Sequence, residues 1–370
     1  MLVKAKTVCE EKMCTGCMAC TNACTKNAIN VKDYIEFYNA EIDTQRCINC
    51  DKCKKVCPNI SVRTLNQPIY WTQGVAADSI RLYSSSGGAA TALMNTFISS
   101  GGYVASCLFL EGEYKFKITK NIEDVRAFAG SKYVKSNPGN IYMDIKELLK
   151  KNEKVLFIGL PCQSAAVQNV CDNMNNLYTA DLICHGTPSP MLLKRYLSEK
   201  KYDWKYINDI KFRENQLFGL VIDGKRIMPR KAIDSYTRLF LQSVDYTENC
   251  YYCRYATQNR VSDITLGDAW GQMSEKEPMG ASLILCQSAK GVELMKNATM
   301  KLEEVDLEKA IETNHQLSHP SIKHPQRERF FKMIKNGRSI QRATANVFPK
   351  ECFKQKIKVF LIKIHIIKDY

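Results

Sequence analysis

Two runs of cysteine near the N-terminus constrain this chain more than any other feature. Cys14, Cys17, Cys20 and Cys24 form the first; Cys47, Cys50, Cys53 and Cys57, followed by Pro58, form the second. Both read C-x2-C-x2-C-x3-C, a spacing in which three thiolates hold one [4Fe-4S] cluster and the fourth crosses to another. Three ligands on one tight loop cap a single face of a cubane, so the fourth has to come from elsewhere. Two copies supply each other. The spacing therefore assigns Cys14, Cys17, Cys20 and Cys57 to one [4Fe-4S] cluster, and Cys47, Cys50, Cys53 and Cys24 to a second. Thr25 in place of a proline after Cys24 loosens the first turn and removes no ligand.

Other uses of cysteine fit less well. A zinc knuckle needs four ligands and does not call for the third and fourth cysteine of each run. Disulfides belong to secreted chains. Cys9-x4-Cys14-x2-Cys17 matches a plant-type [2Fe-2S] spacing, but that reading strands Cys20, Cys24 and the whole second run, so Cys9 is taken as a bystander. The eight cysteines define a bacterial-type 2x[4Fe-4S] ferredoxin domain over residues 1–62, its internal repeat implying paired hairpins and short helices in an α+β unit.

The 370 residues leave room for one large domain beside this unit. Lys4 and Lys6 run straight into the cysteine region without an apolar signal segment, and no stretch approaches a membrane span. Seventeen cysteines without a secretory signal point to a reducing compartment, so the expected location is cytoplasmic. The net charge of +15 resembles a nucleic-acid footprint. Each all-thiolate [4Fe-4S] site carries roughly −2, however, and three would leave about +9. No basic helix interleaved with stacking aromatics marks a nucleic-acid site. Residues 346–370 read as a basic helical tail: six lysines are interleaved with Ile357, Phe360, Leu361, Ile364 and Ile367. A partner-facing helix is the first reading of it and a membrane-surface helix the second.

A linker over 63–80, punctuated by Pro68 and Gly74, leads to alternating helix and strand. Ser84-Ser85-Ser86-Gly87-Gly88 opens an apolar helix over Ala89–Ser99, stopped by Gly101 and Gly102, and Tyr103–Leu110 reads as a buried strand. An amphipathic helix over Asn140–Lys151 precedes the continuous apolar strand 154–159, which breaks at Leu160-Pro161-Cys162-Gln163 into a helix over Ser164–Met174. The unit recurs as strand Leu177–Cys184, turn His185–Pro188 and helix Ser189–Lys200. Residues 206–230 look like hairpin material around Asp223-Gly224, and 282–287 like a further strand carrying Cys286. This alternation predicts a larger α/β domain over 81–345 with a mostly parallel or mixed sheet.

In such sheets ligands gather beyond the carboxyl ends of the strands. Cys162 and Cys184 fall at two consecutive ends, each just before a helix whose dipole favours a thiolate. With Cys250-Tyr251-Tyr252-Cys253 they form a candidate third site, for which a [4Fe-4S] cluster, zinc and a redox-active Cys162 thiol are all open.

Ser86-Gly87-Gly88, Gly130-Ser131-Lys132-Tyr133-Val134, Gly159–Gln163, Asp181–Gly186, the Cys250–Cys253 pair and Asp263–Asp268 together resemble the beta subunits of coenzyme F420 hydrogenases and dehydrogenases. The resemblance spans about 80–345. It implies a flavoprotein, with FAD or FMN, and a third [4Fe-4S] cluster held by Cys162, Cys184, Cys250 and Cys253. It also implies a flavin pocket lined by Ser86, Gly87, Gly88, Ser131, Lys132 and Tyr133. The residues alone do not demand flavin: small residues before a helix permit close approach of a phosphate, but also of any loop. His185 reads as a packed turn histidine in preference to a proton donor.

The expected protein is an iron–sulfur flavoenzyme, an oxidoreductase passing electrons between ferredoxin-type clusters and a flavin that exchanges them with a small acceptor such as a deazaflavin. The alternative is a non-catalytic electron-transfer subunit of a larger redox complex. Expected partners are a soluble electron-transfer protein or another member of such a complex, together with the small-molecule acceptor.

Overall fold

Each cysteine run bends its backbone the same way. In the first, Gly16 (φ 67°) and Met18 (φ 61°) are left-handed; in the second, Asn49 (φ 52°) and Asp51 (φ 55°) occupy the equivalent places. The bends turn successive thiols inward and lead into the short helices Ala19–Ala23 and Lys52–Val56. Between the runs, β1 (Ile29–Asp33) pairs antiparallel with β2 (Tyr38–Ile42). This computed structural model describes residues 5–172, 174–214, 216–270 and 276–369.

Beyond residue 62 the chain builds an eight-stranded mixed sheet. Its strands are β3 (Tyr70–Ala76), β4 (Tyr103–Leu110), β5 (Glu113–Thr119), β6 (Val155–Gly159) and β7 (Leu177–Leu182). Further along the chain come β8 (Ile210–Glu214), β9 (Leu217–Ile222) and β10 (Lys225–Arg226), which form a separate three-stranded sheet. The large sheet is completed by β11 (Ile264–Asp268), β12 (Ser282–Cys286) and β13 (Met300–Glu303), in the order β13-β3-β12-β11-β7-β6-β4-β5. Strands β4, β6, β7 and β11 run parallel; the flanking strands are antiparallel to their neighbours.

Side-chain alternation along β6 separates two apolar layers. Val155 and Phe157 face the helices Ile141–Lys150 and Pro161–Cys171, whereas Leu156 and Ile158 face Ala89–Ser99 and Ala289–Asn297. Every residue of β6 is buried, as a central parallel strand covered on both faces requires. Cys17 and Ala19 of the ferredoxin unit share the Phe157 layer. Polar ties reinforce that docking: Ser189 Oγ donates to Asp33 (2.6 Å), Tyr255 Oη to the Pro58 carbonyl (3.0 Å) and Asn169 Nδ2 to the Ser61 carbonyl (2.9 Å).

Two expectations change. Residues 63–80, read as a linker, contain β3, which lies between β12 and β13. Gly74 reads as punctuation but permits close approach: a Cβ on Gly87 would lie 2.4 Å from its carbonyl oxygen. The helix expected from Ser164 begins at Pro161, because proline fits its first turn and Gln163 Oε1 accepts the Leu160 N–H at 3.0 Å. The tail is helical over Pro349–Lys363, with Phe353 and Phe360 exposed. Among the described residues no helix is long and apolar enough to cross a membrane.

Phe157, fully buried and stacked on Phe116 at 5.2 Å, tests the layer shared by sheet, helices and ferredoxin unit. Phe157→Ala should cost about 3–5 kcal/mol in anaerobic denaturant titrations. A loss below about 1 kcal/mol would show that the layer is not a shared core.

Candidate functional site

The two runs exchange their fourth cysteines in space. Burial, then the neighbouring Asp51 and Cys24, pushes the Cys53 thiol up, so Cys24 lies beside the second run. Burial, then Cys17 and Cys57, does the same to Cys20, so Cys57 lies beside the first. Their surroundings differ. Cys14, Cys17, Cys20 and Cys57 are buried, whereas Cys50 is exposed and Cys24, Cys47 and Cys53 are half-buried.

Cys162, Cys184, Cys250 and Cys253 come from three separate segments and line one cavity of about 280 Å³. Cys162 stands in the first turn of the helix after β6, and Cys184 in the turn after β7. Cys250 and Cys253 belong to and follow the 3-10 turn Glu248–Tyr252. The Thr247 N–H donates to the Thr187 carbonyl at 3.0 Å, and the Thr247 and Thr187 hydroxyls lie 3.5 and 3.9 Å from Cys250 Sγ. Gly186 (φ 136°) brings the Cys184 turn onto Tyr246, where a Cβ would approach the ring to 2.4 Å. Burial raises the Cys162 thiol well above its ordinary range and the Cys184 thiol to about 12. A metal centre bound there would displace those protons. Among the described residues no three His, Cys, Asp or Glu side chains gather as a site for a single metal ion. The four thiols line a cavity instead of closing on a point.

Two further residues on this cavity escape a reading of the sequence. Cys9 is buried beside Cys14 and Cys57, its thiol pushed up to about 12 by its hydrogen bond with Cys14 and by burial, with Cys57 opposing. Lys135 is 4% exposed. Burial works against its charge, but Cys250, Cys162, Cys184 and Cys14 outweigh burial and hold its pKa above the ordinary lysine value. Spacing flags Cys9, which the sequence reading sets aside as a bystander. Lys135 has no signal beyond lying next to a quoted motif.

His185 also borders the cavity. Its Nδ1 lies 2.8 Å from Gln316 Nε2, and burial, then His315, lowers its pKa to about 4.

The segments expected to line a flavin pocket meet each other, and Tyr133 packs against the apolar cluster that includes Cys250. The Ser131 N–H donates to Ser85 Oγ at 2.7 Å, and Ser86 Oγ donates to the Ala281 carbonyl at 2.8 Å. Gly87 is wedged against the Gly74 and Ser282 backbones, and Gly88 (φ 82°) caps the helix Ala89–Ser99. Lys132 turns into its own loop, where Nζ donates to the carbonyls of Phe128, Ala129 and Gly130. Tyr133 stacks on Phe240 at 4.2 Å. Nearby, Arg213 pairs with Asp268 at 2.7 Å and lies over the Trp270 ring.

Two family models match this chain. Residues 13–59 match the 4Fe-4S dicluster domain, and residues 152–310 match the family described as the C terminus of the coenzyme F420 hydrogenase/dehydrogenase beta subunit. The F subunit of the F(420)H(2) dehydrogenase of Methanosarcina mazei is 22% identical over 299 residues, 75% of this chain and 83% of that relative. A solved structure of the F420-reducing [NiFe] hydrogenase complex from Methanosarcina barkeri aligns with TM-score 0.47 at 17% identity. The alignment covers 70% of this chain and 97% of that one. Over residues 152–310 the chain is thus similar to the C-terminal region of coenzyme F420 hydrogenase and dehydrogenase beta subunits, and it carries a 4Fe-4S dicluster domain ahead of that region.

Proposed function

We propose that this protein is an iron–sulfur flavoprotein oxidoreductase of the cytoplasm. In it Cys47, Cys50, Cys53 and Cys24 hold one [4Fe-4S] cluster, Cys14, Cys17, Cys20 and Cys57 a second, and Cys162, Cys184, Cys250 and Cys253 a third. The observation that carries this is the order of the thiol sets. One set reaches the surface at Cys50, the next is buried, and Cys17 of that buried set lies close enough to Cys162 to raise its thiol. The donor chemistry fits: four thiols on one cavity suit an iron–sulfur centre, and neighbouring centres pass single electrons.

Flavin, when bound, would exchange a two-electron equivalent for single electrons. The segments 84–88 and 130–133 would hold it, with Gly87 and Gly88 allowing its phosphate close to the start of the helix Ala89–Ser99. The role of this chain's residues is to fix that loop, keep water from the thiol cavity and leave the Cys50 loop open to an electron-transfer protein. A deazaflavin is the proposed acceptor class, in keeping with the F(420)H(2) dehydrogenase name of the Methanosarcina mazei relative. A second reading, an electron-transfer protein without turnover of its own, is favoured by that relative being one subunit among others of its dehydrogenase.

Iron, acid-labile sulfide, zinc and released flavin per chain, measured on anaerobic protein, decide between these. About twelve irons with one flavin are expected. About eight irons without flavin would overturn the reading, and zinc in place of the last four irons would make the third site structural. Cys162→Ser and Cys184→Ser should each lower the count from about twelve to about eight irons and leave the ferredoxin-pair signals intact.

Gly87→Ala offers a separate test, because its Cβ would sit 2.4 Å from both the Gly74 oxygen and the Ser282 nitrogen. Its flavin content should fall by at least about half with iron unchanged, since the loop must move to relieve the clash. Full flavin in this variant would place the flavin elsewhere.

A further inference from the structure

Lys135 is buried at the boundary between the ferredoxin unit and the α/β domain, and structures from both sides hold it there. Its N–H donates to the Pro188 carbonyl at 2.9 Å. Its Cδ lies 3.5 Å from where a Cβ on Gly16 would stand, in the middle of the first cysteine run. Its Nζ is 6.0 Å from the ring centroid of Tyr38 on β2. Its side chain borders the cavity of Cys162, Cys184, Cys250 and Cys253. Among the described residues no carboxylate forms an ion pair with it.

Its electrostatic neighbours are thiols of both sets: Cys250, Cys162 and Cys184 on one side and Cys14 on the other. Cys17 and Cys253 are affected by Lys135 in turn. Arg260 is also buried and acts on Cys253, but it has a carboxylate partner in Asp181 at 3.8 Å. Among the described residues Lys135 is thus a buried cation with thiol neighbours drawn from both sets.

We propose that Lys135 is a shared electrostatic anchor. Its ammonium lies between the Cys14/Cys17/Cys20/Cys57 site and the Cys162/Cys184/Cys250/Cys253 site and favours the reduced state of both. The inference rests on the cluster reading above. One-electron reduction of a four-thiolate [4Fe-4S] centre adds one negative charge, from roughly −2 to −3. A fixed positive charge nearby stabilises the more negative state, most strongly where water is excluded. Because one ammonium serves both sites, it raises the two potentials together and leaves the step between them little changed. The Cys47/Cys50/Cys53/Cys24 site is half-exposed to water and is not among its neighbours, so it serves as an internal control.

The test is an EPR-monitored titration of the anaerobic holoprotein with dithionite as reductant, comparing wild type, Lys135→Met, Lys135→Gln and Lys135→Arg. In the Met and Gln variants, reduction at the two flanking sites should become at least tenfold less favourable, a fall of about 59 mV for one electron, with the control site unchanged. Lys135→Arg keeps the charge and should stay within about threefold of wild type. Unchanged potentials at both flanking sites in either neutral variant, with iron content retained, would overturn the proposal, as would an equal shift at all three sites. If one neutral variant loses iron, the other carries the comparison. An iron count of about eight in the wild type would sink the third cluster alone, and the first-site potential would still report on Lys135.

Discussion

A buried ion pair joins two of the segments that carry the cavity's thiols. Arg260 and Asp181, with side chains 1% and 0% exposed, face each other at 3.8 Å. Asp181 lies on β7 just before Cys184, and Arg260 lies in the segment between Cys253 and β11. The Arg260 backbone also exchanges two hydrogen bonds with Asn66, so one residue fastens the ferredoxin connection, the Cys250–Cys253 segment and the sheet. Ser262 Oγ donates to the other carboxylate oxygen at 2.9 Å. Removing one partner from such a pair leaves an uncompensated buried charge, at a cost of about 3–5 kcal/mol. The pair ties the strand before Cys184 to the segment after Cys253.

The same arrangement explains why the ferredoxin unit and the α/β domain share a core. Ala19, fully buried, lies within the first cysteine run and packs with Ile141, Ile145 and Phe157 of the larger domain. A tethered ferredoxin on a flexible linker would sample many distances from the cavity. Docking by the Phe157 layer and by the Ser189–Asp33 and Tyr255–Pro58 bonds fixes one distance. The segment between the two units is itself a sheet strand, so the link is rigid at both ends.

Much of this is legible in the sequence because periodicity and punctuation reflect local physics. Ala89–Ser99 and Tyr103–Leu110 have the expected bounds, and 154–159 is the buried parallel strand its unbroken apolar run implies. Misreadings arise where a residue serves two ends. Gly74 weakens a strand locally, yet it allows Gly87 to lie against β3, a long-range reason that no window of sequence contains. Pro161 reads as a break and is a helix start. For the site, cysteines that repeat at fixed spacing declare themselves, whereas Cys9 and Lys135 have meaning only once the fold has brought β2, the turn before Pro188 and the cysteine runs together.

The charge balance has a physical reading of its own, although +15 resembles a surface property. Part of the excess is on the surface, in the lysines of the helix Pro349–Lys363. Lys135 is not. An ammonium taken out of water is costly unless an anion accompanies it. No carboxylate pairs with Lys135 among the described residues, and the groups around it are thiols that burial would otherwise keep protonated and neutral. Thiolates bound to a metal centre, as proposed for this cavity, would supply that negative charge. The buried lysine is thus placed where the proposed third centre would give it a negative partner.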